Sequence, residues 1–351
     1  MRDLLSLRQF LDGWALEDPD RLPVSDTIQR ISLAAANISK LIGQGALSGN
    51  LSAVVGRNAG GDEQKAMDLL ANQILLDALA DSPVAVVASE ENEGLVPLRA
   101  GAPLAVAVDP LDGSSNLDAN ISVGTIFSIW PSALRPDFTD AVGVLEKGTG
   151  QVAAGFAIYG PQTALVLTVG GGVQIFTLDS RSSKFMLTHA NVRIPDGTSE
   201  YAINASNYRH WDRPIREYID DCLDGARHPD VNFNMRWIAS PVAEAFRVLS
   251  RGGIFLYPRD ARPGYENGRL RLVYEANPLA LLIEQAGGAA TDGVRRILEI
   301  TPSALHQQVP LVFGSADQVA RVARHCRELY LDYDTSPLFG QRGLFQRQGL
   351  E

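Results

Sequence analysis

The sequence predicts an α/β fold, and three observations carry that prediction. Residues 83–173 break into short apolar and β-branched runs punctuated by Gly and Pro, the mark of a sheet. Helical periodicity precedes this region, and helices alternate with strands after it. Three of the strand-like runs end in carboxylates, and in α/β sheets ligands bind at the carboxyl ends of strands. The chain has 351 residues, which suggests about two domains.

Residues 25–41 carry Ile28, Ile31, Leu33, Ala35 and Ile38 at helical spacing, with Ser25 or Asp26 as the cap. A second helix is expected over residues 62–80. Met67, Leu70, Ile74 and Leu75 supply its apolar positions, while Lys65, Asp68 and Asn72 share a polar face that reads as solvent-exposed. Strands are expected at residues 84–88, 104–108, 125–130, 141–145, 152–159 and 164–169. The Ser-rich stretch 179–184 and a loop to about residue 199 read as the crossing into a second domain.

Beyond it the pattern gives a strand near residues 201–204, helices near 213–223 and 241–250, and strands at 253–257 and 269–274. Asn277-Pro278 then caps a helix whose face is Leu279, Leu282, Ile283 and Ala286, and Gly287-Gly288 stops it. A strand at 309–313 and a helix at 316–329 follow. The remainder lacks periodicity and reads as a tail.

A net charge of −10 argues against a nucleic-acid partner, whose binding surface would be basic. Cys222 and Cys326 are the only cysteines and read as reduced thiols. Charged residues interrupt the N-terminus where a signal peptide would need an apolar core, and no run reaches membrane-span length. The expectation is a cytoplasmic enzyme. Four lysines against many arginines is a marked bias.

Asp109-Pro110-Leu111-Asp112-Gly113-Ser114-Ser115-Asn116 is the richest segment. Pro110 and Gly113 should break the strand sharply and aim both aspartates at one point, with residues 113–116 offering N–H groups and hydroxyls to a phosphate. Alone, the block fits an ordinary surface turn equally well. Its company favours a site, because Ser89-Glu90-Glu91 and Glu275 also follow apolar strands. Carboxylates gathered this way need protons or cations, and an all-oxygen set suits Mg²⁺ or Mn²⁺ rather than zinc. Arg269 and Arg271 alternate onto one strand face with Glu275, where guanidinium forks match phosphate oxygens. The five histidines lie in polar or helical surroundings and read as surface residues; no Gly-x-Ser-x-Gly elbow or Walker loop occurs.

These motifs resemble class I fructose-1,6-bisphosphatase, within the metal-dependent sugar and inositol phosphatases, over residues 20–330. The resemblance rests on Gly61-Asp62 with Lys65 and Asp68, Ser89-Glu90-Glu91, the 109–116 block, Gly124-Thr125-Ile126-Phe127, residues 252–258, and residues 270–278. It implies a layered α-β-α-β-α sandwich with two mixed sheets, assembled as a homotetramer. The implied division is an N-terminal metal-binding and allosteric-type domain (1–190), a C-terminal substrate-binding domain (191–335) and a flexible tail (336–351).

The implied metal ligands are Glu90, Glu91, Asp109, the Leu111 carbonyl, Asp112 and Glu275, holding Mg²⁺ with Mn²⁺ as a substitute. Asp68 and Glu91 resemble the pair that activates water, and Asp62, with Arg271, resembles the support of the transition state. Asp112, Gly113, Ser114 and Ser115 should hold the 1-phosphate; Asn204, Asn207, Tyr257 and Arg269 the 6-phosphate and sugar; Arg236 should reach into a neighbouring subunit's site. Three positions depart from the common pattern: Arg269 replaces a lysine, and Trp237 and Asn207 replace tyrosines. Pro103-Leu104 replaces the Lys-Tyr pair through which animal relatives bind AMP, so AMP inhibition is not expected.

The implied reaction is Mg²⁺-dependent hydrolysis of fructose 1,6-bisphosphate to fructose 6-phosphate and phosphate, in gluconeogenesis or the Calvin cycle; residues 234–240 look most like bacterial enzymes. The alternatives are a sedoheptulose-1,7-bisphosphatase or dual-specificity enzyme and, from another class, a silent sugar-phosphate-binding regulator.

Overall fold

The structure, a computed structural model, describes residues 4–49, 52–57, 63–132, 144–224 and 232–335, with side chains to Arg327. Helix α1 (Leu7–Leu16) was not expected from periodicity. A capping box starts it: Ser6 Oγ accepts from Gln9 N–H at 3.3 Å, and the Gln9 amide oxygen accepts from Ser6 N–H at 2.9 Å. Helix α2 (Leu22–Gln44) begins before the expected Ser25, because Pro23 sits in its first turn and presets the backbone. Strands β1 (Val54–Arg57) and β2 (Glu63–Lys65) pair as a hairpin, which delays helix α3 to Ala66–Leu79.

The polar face of α3 is buried, contrary to expectation. Lys65, Asp68 and Asn72 are 6%, 2% and 7% exposed. Each finds partners: Lys65 Nζ lies 3.0 Å from Asp118, Lys65 N–H donates to Asp68 at 2.6 Å, and Asn72 bridges Asn92 and Ser89 at 3.0 and 2.8 Å. Burial of such groups is tolerated because those bonds replace water.

The first large sheet contains β3 (Val84–Ser89), β4 (Val96–Pro97), β5 (Leu104–Asp112), β6 (Val123–Pro131), β7 (Ala153–Tyr159), β8 (Thr163–Thr168), β9 (Val173–Asp179) and β10 (Lys184–Val192). Their spatial order is β10-β9-β8-β7-β6-β5-β3-β4, parallel between β3 and β5 and antiparallel elsewhere. The expected crossing at 179–199 is instead mostly the β9–β10 hairpin. Asp179 builds its turn by accepting from Arg181 N–H at 3.1 Å and Ser182 Oγ at 2.8 Å, so the Ser-rich run is turn chemistry. Of the expected strand 141–145, residues 141–143 lie outside the described residues and Val144-Leu145 form a turn.

The second half contributes β11 (Glu200–Ala202), α4 (Arg213–Asp224), β12 (Asn234–Met235), α5 (Pro241–Arg251), β13 (Ile254–Tyr257) and β14 (Leu270–Arg271). After them come α6 (Asn277–Gln285), β15 (Ala289–Thr291), β16 (Gln308–Val309), β17 (Leu311–Gly314) and α7 (Ala316–Thr335). The order β12-β11-β13-β17-β15 forms a mixed five-stranded sheet, while β14 pairs with β16 alone. The expected strand 269–274 keeps only Leu270–Arg271; Leu272–Ala276 is a π-helical turn leading into α6.

Three buried clusters define five layers. Alternation on β6 sends Phe127 toward α1, α2 and α3, and sends Ile126 toward α5 and α6. The far side of α5 and α6 packs on Ala202, Phe255 and Phe313 of the second sheet, whose opposite face, through Ile254, Leu256 and Val312, is covered by α4 and α7. The α-β-α-β-α sandwich follows from these contacts. His325 of α7 is 8% exposed rather than superficial, lying 3.3 Å from Asp221. No helix among the described residues is long and apolar enough to cross a membrane.

Candidate active site and metal centre

The parallel neighbours β3 and β5 present their carboxyl ends side by side, and the π-helical turn at 272–276 closes over them. β5 does not stop at Pro110. It runs to Asp112 with a register shift against β6 between Asp109 and Asp112. A bulge here accommodates the proline, which has no N–H for the ladder, and rotates the two aspartates toward one side. Thr125 Oγ1 of β6 pins the bulge by donating to the Pro110 carbonyl at 2.8 Å, and Tyr159 OH lies 2.8 Å from the same hydroxyl.

Asp109, Asp112 and Glu275 place carboxylate oxygens within 4.8 Å of one another, all buried. Glu275 arrives through the π-helical turn, not by strand alternation, and accepts from Arg271 N–H at 2.5 Å. Burial drives the Asp109 carboxyl well above its ordinary range, and the charges of Glu90, Asp112, Glu275 and Glu91 drive it further. Burial likewise pushes Asp112 up to about 7, against the backbone N–H of Val242 and the Ser240 hydroxyl, which favour its charge. Asp109, Asp112 and Glu275 crowd one point, Glu90 and Glu91 add their charge to it, and with no His or Cys in the group a hard divalent cation is what such an oxygen set fits. Leu111, between the aspartates, is 4% exposed and donates its N–H to Asp109 at 3.0 Å.

Around the cluster, Arg271 is 1% exposed, with Nε 3.8 Å from Glu90 and Nη1 donating to the Arg269 carbonyl at 2.8 Å. Glu91 accepts from Gln64 on β2. Asp68 accepts from Ser114 Oγ at 3.4 Å, and its buried Oδ1 has no hydrogen-bond partner among the described residues. Burial is the main cause of its raised pKa. Gly113, at φ 73°, turns the chain into the short 3₁₀ helix Ser114–Ala119; a Cβ there would press on Ser240 at 3.2 Å. Asp62 lies outside the described residues.

The other expected residues form a second group. Asn204, Asn207, Trp237 and Tyr257 line one small cavity. Trp237 stacks on Phe255 at 5.9 Å and tilts on Tyr257 at 6.0 Å. Asn204 also caps its own turn by accepting from Ser206 N–H at 3.2 Å. Burial raises the Tyr257 hydroxyl pKa, Arg269 and Arg262 oppose the rise, and Tyr265 and Glu275 add to it. Arg236 is half exposed and its Nε lies 3.5 Å from Glu200, an acid outside the cluster of Asp109, Asp112 and Glu275. A larger cavity of about 1220 Å³ touches Arg271 but not Asp109, Asp112, Glu275, Glu90 or Glu91.

Sequence reading missed the residues that hold Asp112 in place. Val242 N–H donates to its carboxylate at 3.0 Å and Ser240 Oγ at 3.4 Å, both from the start of α5. Ser240-Pro241, a cap followed by a first-turn proline, was the available signal. Asn116 reinforces the joint by donating to the Ile238 and Ala239 carbonyls, each at 3.3 Å.

Both halves of the chain have counterparts among known proteins. Residues 20–190 match the model of the fructose-1-6-bisphosphatase N-terminal domain, and residues 194–327 that of the C-terminal domain. A class 1 fructose-1,6-bisphosphatase of Nitrobacter hamburgensis is 55% identical over 97% of this chain and 99% of its own length; one of Sinorhizobium medicae is 54% identical over 92% and 93%. The crystal structure of holo Leishmania major fructose-1,6-bisphosphatase superimposes with TM-score 0.85 at 37% identity, covering 93% of this chain and 99% of that one. Matched along both halves in sequence and in fold, the chain belongs to the fructose-1,6-bisphosphatase family.

Proposed function

We infer that the chain hydrolyses the 1-phosphate of fructose 1,6-bisphosphate, with Mg²⁺ held by Glu90, Glu91, Asp109, the Leu111 carbonyl, Asp112 and Glu275, and Mn²⁺ able to substitute. The observation that carries this reading is the gathering of Asp109, Asp112 and Glu275 within 4.8 Å of one another, beside a turn suited to a phosphate. Divalent ions bound there supply charge neutralisation for the phosphoryl group and the departing alkoxide.

The chain's own residues do the rest. Backbone N–H groups and hydroxyls of Gly113, Ser114 and Ser115 seat the 1-phosphate. Asp68, with its buried Oδ1 lacking a described partner, takes the proton of the attacking water together with Glu91. Arg271 lends positive charge to the transition state, aided by Asp62. Asn204, Asn207, Tyr257 and Arg269 receive the sugar and the distal phosphate, and Arg236 serves a neighbouring subunit. A homotetramer is the assembly that gives Arg236 this role, and exposed apolar Leu16, Leu22 and Leu33 near the start of the chain offer surface for a second copy. The division into residues 1–190 for metal binding and 191–335 for substrate binding has support from the two sheets, which fall on either side of residues 193–199.

Phosphate release from fructose 1,6-bisphosphate and sedoheptulose 1,7-bisphosphate at matched concentrations tests the substrate. A higher kcat/KM on the fructose compound is expected; preference for the seven-carbon sugar would replace this reading with its nearest alternative.

A further inference from the structure

Between β13 and β14 the chain folds into a compact loop whose order comes from one carboxylate. Asp260, 5% exposed, accepts from Arg262 Nε at 3.0 and 3.1 Å and from Arg262 Nη2 at 2.5 Å, and its Oδ1 takes the Arg262 backbone N–H at 3.0 Å. Tyr265 N–H donates to the Arg262 carbonyl at 3.0 Å, and the Tyr265 carbonyl accepts from Asp260 N–H at 3.2 Å and Gly268 N–H at 3.0 Å. Gly268, at φ 82°, passes so close to Pro310 that a Cβ would lie 2.4 Å from its nitrogen. The loop therefore delivers Arg269 from a fixed point.

Over the ring of Tyr265 lie two guanidiniums, Arg262 at 4.1 Å and Arg269 at 4.8 Å from the centroid. An aromatic face attracts a cation, and a flat guanidinium can rest on it while keeping its edge for hydrogen bonds. A lysine ammonium has no such plane. Asp260 answers the charge of Arg262, which lets two cations share one ring.

We propose that Tyr265 is a positioning residue for the distal phosphate: its ring holds the Arg269 guanidinium as a preset fork facing the Tyr257 side of the site. The inference rests on the bisphosphatase reading above and extends it, since it explains why an arginine works where a lysine would otherwise reach. Tyr265 touches no reacting atom, so its contribution falls on substrate capture.

The test compares Tyr265→Leu, Tyr265→Phe, Arg269→Lys and the Tyr265→Leu/Arg269→Lys double variant with the unaltered protein, using fructose 1,6-bisphosphate and fructose 1-phosphate, which lacks the distal phosphate. Tyr265→Leu is expected to raise KM for the bisphosphate about three- to tenfold, the worth of a cation on an aromatic face, with little change in kcat. KM for fructose 1-phosphate stays put, Tyr265→Phe restores the bisphosphate value, and in the Arg269→Lys background Tyr265→Leu adds nothing. An unchanged bisphosphate KM in Tyr265→Leu overturns the proposal, as does an equal rise on both substrates. Should Tyr265→Leu lose its fold, judged by circular dichroism, failure of the folded Tyr265→Phe to match the unaltered KM overturns it. Absence of phosphate release by the unaltered protein would instead overturn the activity on which it rests.

Discussion

At the scale of single residues the site depends on hydrogen bonds that no motif advertises. Thr125 is completely buried, and its hydroxyl is shared between the Pro110 carbonyl and Tyr159 OH. Thr125→Val keeps the shape but strands both partners, at about 1–3 kcal/mol for each buried polar group left unmade. The bulge between Asp109 and Asp112 then loosens. The variant should need about tenfold more Mg²⁺ for half-maximal binding, in line with residues that orient ligands rather than ligate, and calorimetric titration of metal-stripped protein reads this directly. Asp109, Asp112 and Glu90 were singled out in the sequence because an acid at the end of an apolar strand is a strong local signal, whereas Glu275 was singled out on an expected strand that the structure replaces with a π-helical turn. Thr125 and Ser240 were not: a hydroxyl in a strand or cap looks the same whether it serves a core, a helix end or a metal site. Tyr265 carries no signal until the loop around Asp260 is folded.

Secondary elements show a similar division. The helices at 213–224, 241–251 and 277–285 were read close to their bounds from their apolar spacing, and Ser240 caps the second, whereas Asn277, expected as a cap, is already helical: Ala276 precedes the helix and makes no side-chain cap bond. Residues 269–274 were read as a strand since arginines and leucines alternate there, yet tertiary packing winds 272–276 into a π-helical turn that brings Glu275 to Arg271 N–H. Helix α5 is fixed by a buried ionic group: Arg247 Nε lies 2.8 Å from Glu244 and Nη1 3.3 Å from Glu200, while Glu244 accepts from Ile238 N–H at 2.9 Å. Arg247→Met leaves Glu200 its contacts with Arg251 at 2.5 Å and Arg236 at 3.5 Å but strips the fully buried Glu244 of Arg247, the cation beside it, which costs about 3 kcal/mol. Glu244 already has a raised pKa, chiefly from burial and partly countered by Arg247. A carboxyl with a raised folded pKa contributes its stability below its unfolded pKa and loses it as pH rises through the folded value. The deficit of Arg247→Met should therefore be large at pH 7 and shrink toward pH 4.5, as urea unfolding at both pH values would reveal. An equal deficit at the two values contradicts this account.

For the whole molecule, the layers explain why one chain can bring opposite requirements together. The first sheet supplies Asp109 and Asp112 on a rigid bulge, the second half supplies α5, Arg269 and Tyr257, and the π-helical turn joins them with Glu275. Arg271 stands among the acids, 3.8 Å from Glu90, while Arg269 rests on Tyr265 in the loop before β14, so the proposed substrate would meet one arginine beside the acids and another farther along the chain's second half. The succession of strands and helices was readable from period, whereas the meeting of Asp112 with Val242, 130 residues apart, was not. Phosphorus NMR on metal-stripped protein, with Mg²⁺ titrated back over fructose 1,6-bisphosphate, tests the account most directly. It predicts no turnover without the ion, then equal growth of inorganic phosphate and fructose 6-phosphate, with Asp112→Asn folded but slower by about a hundredfold or more, as expected on losing a ligand of a metal that stabilises transition-state charge. Undiminished release after stripping, or accumulation of fructose 1-phosphate, would contradict it.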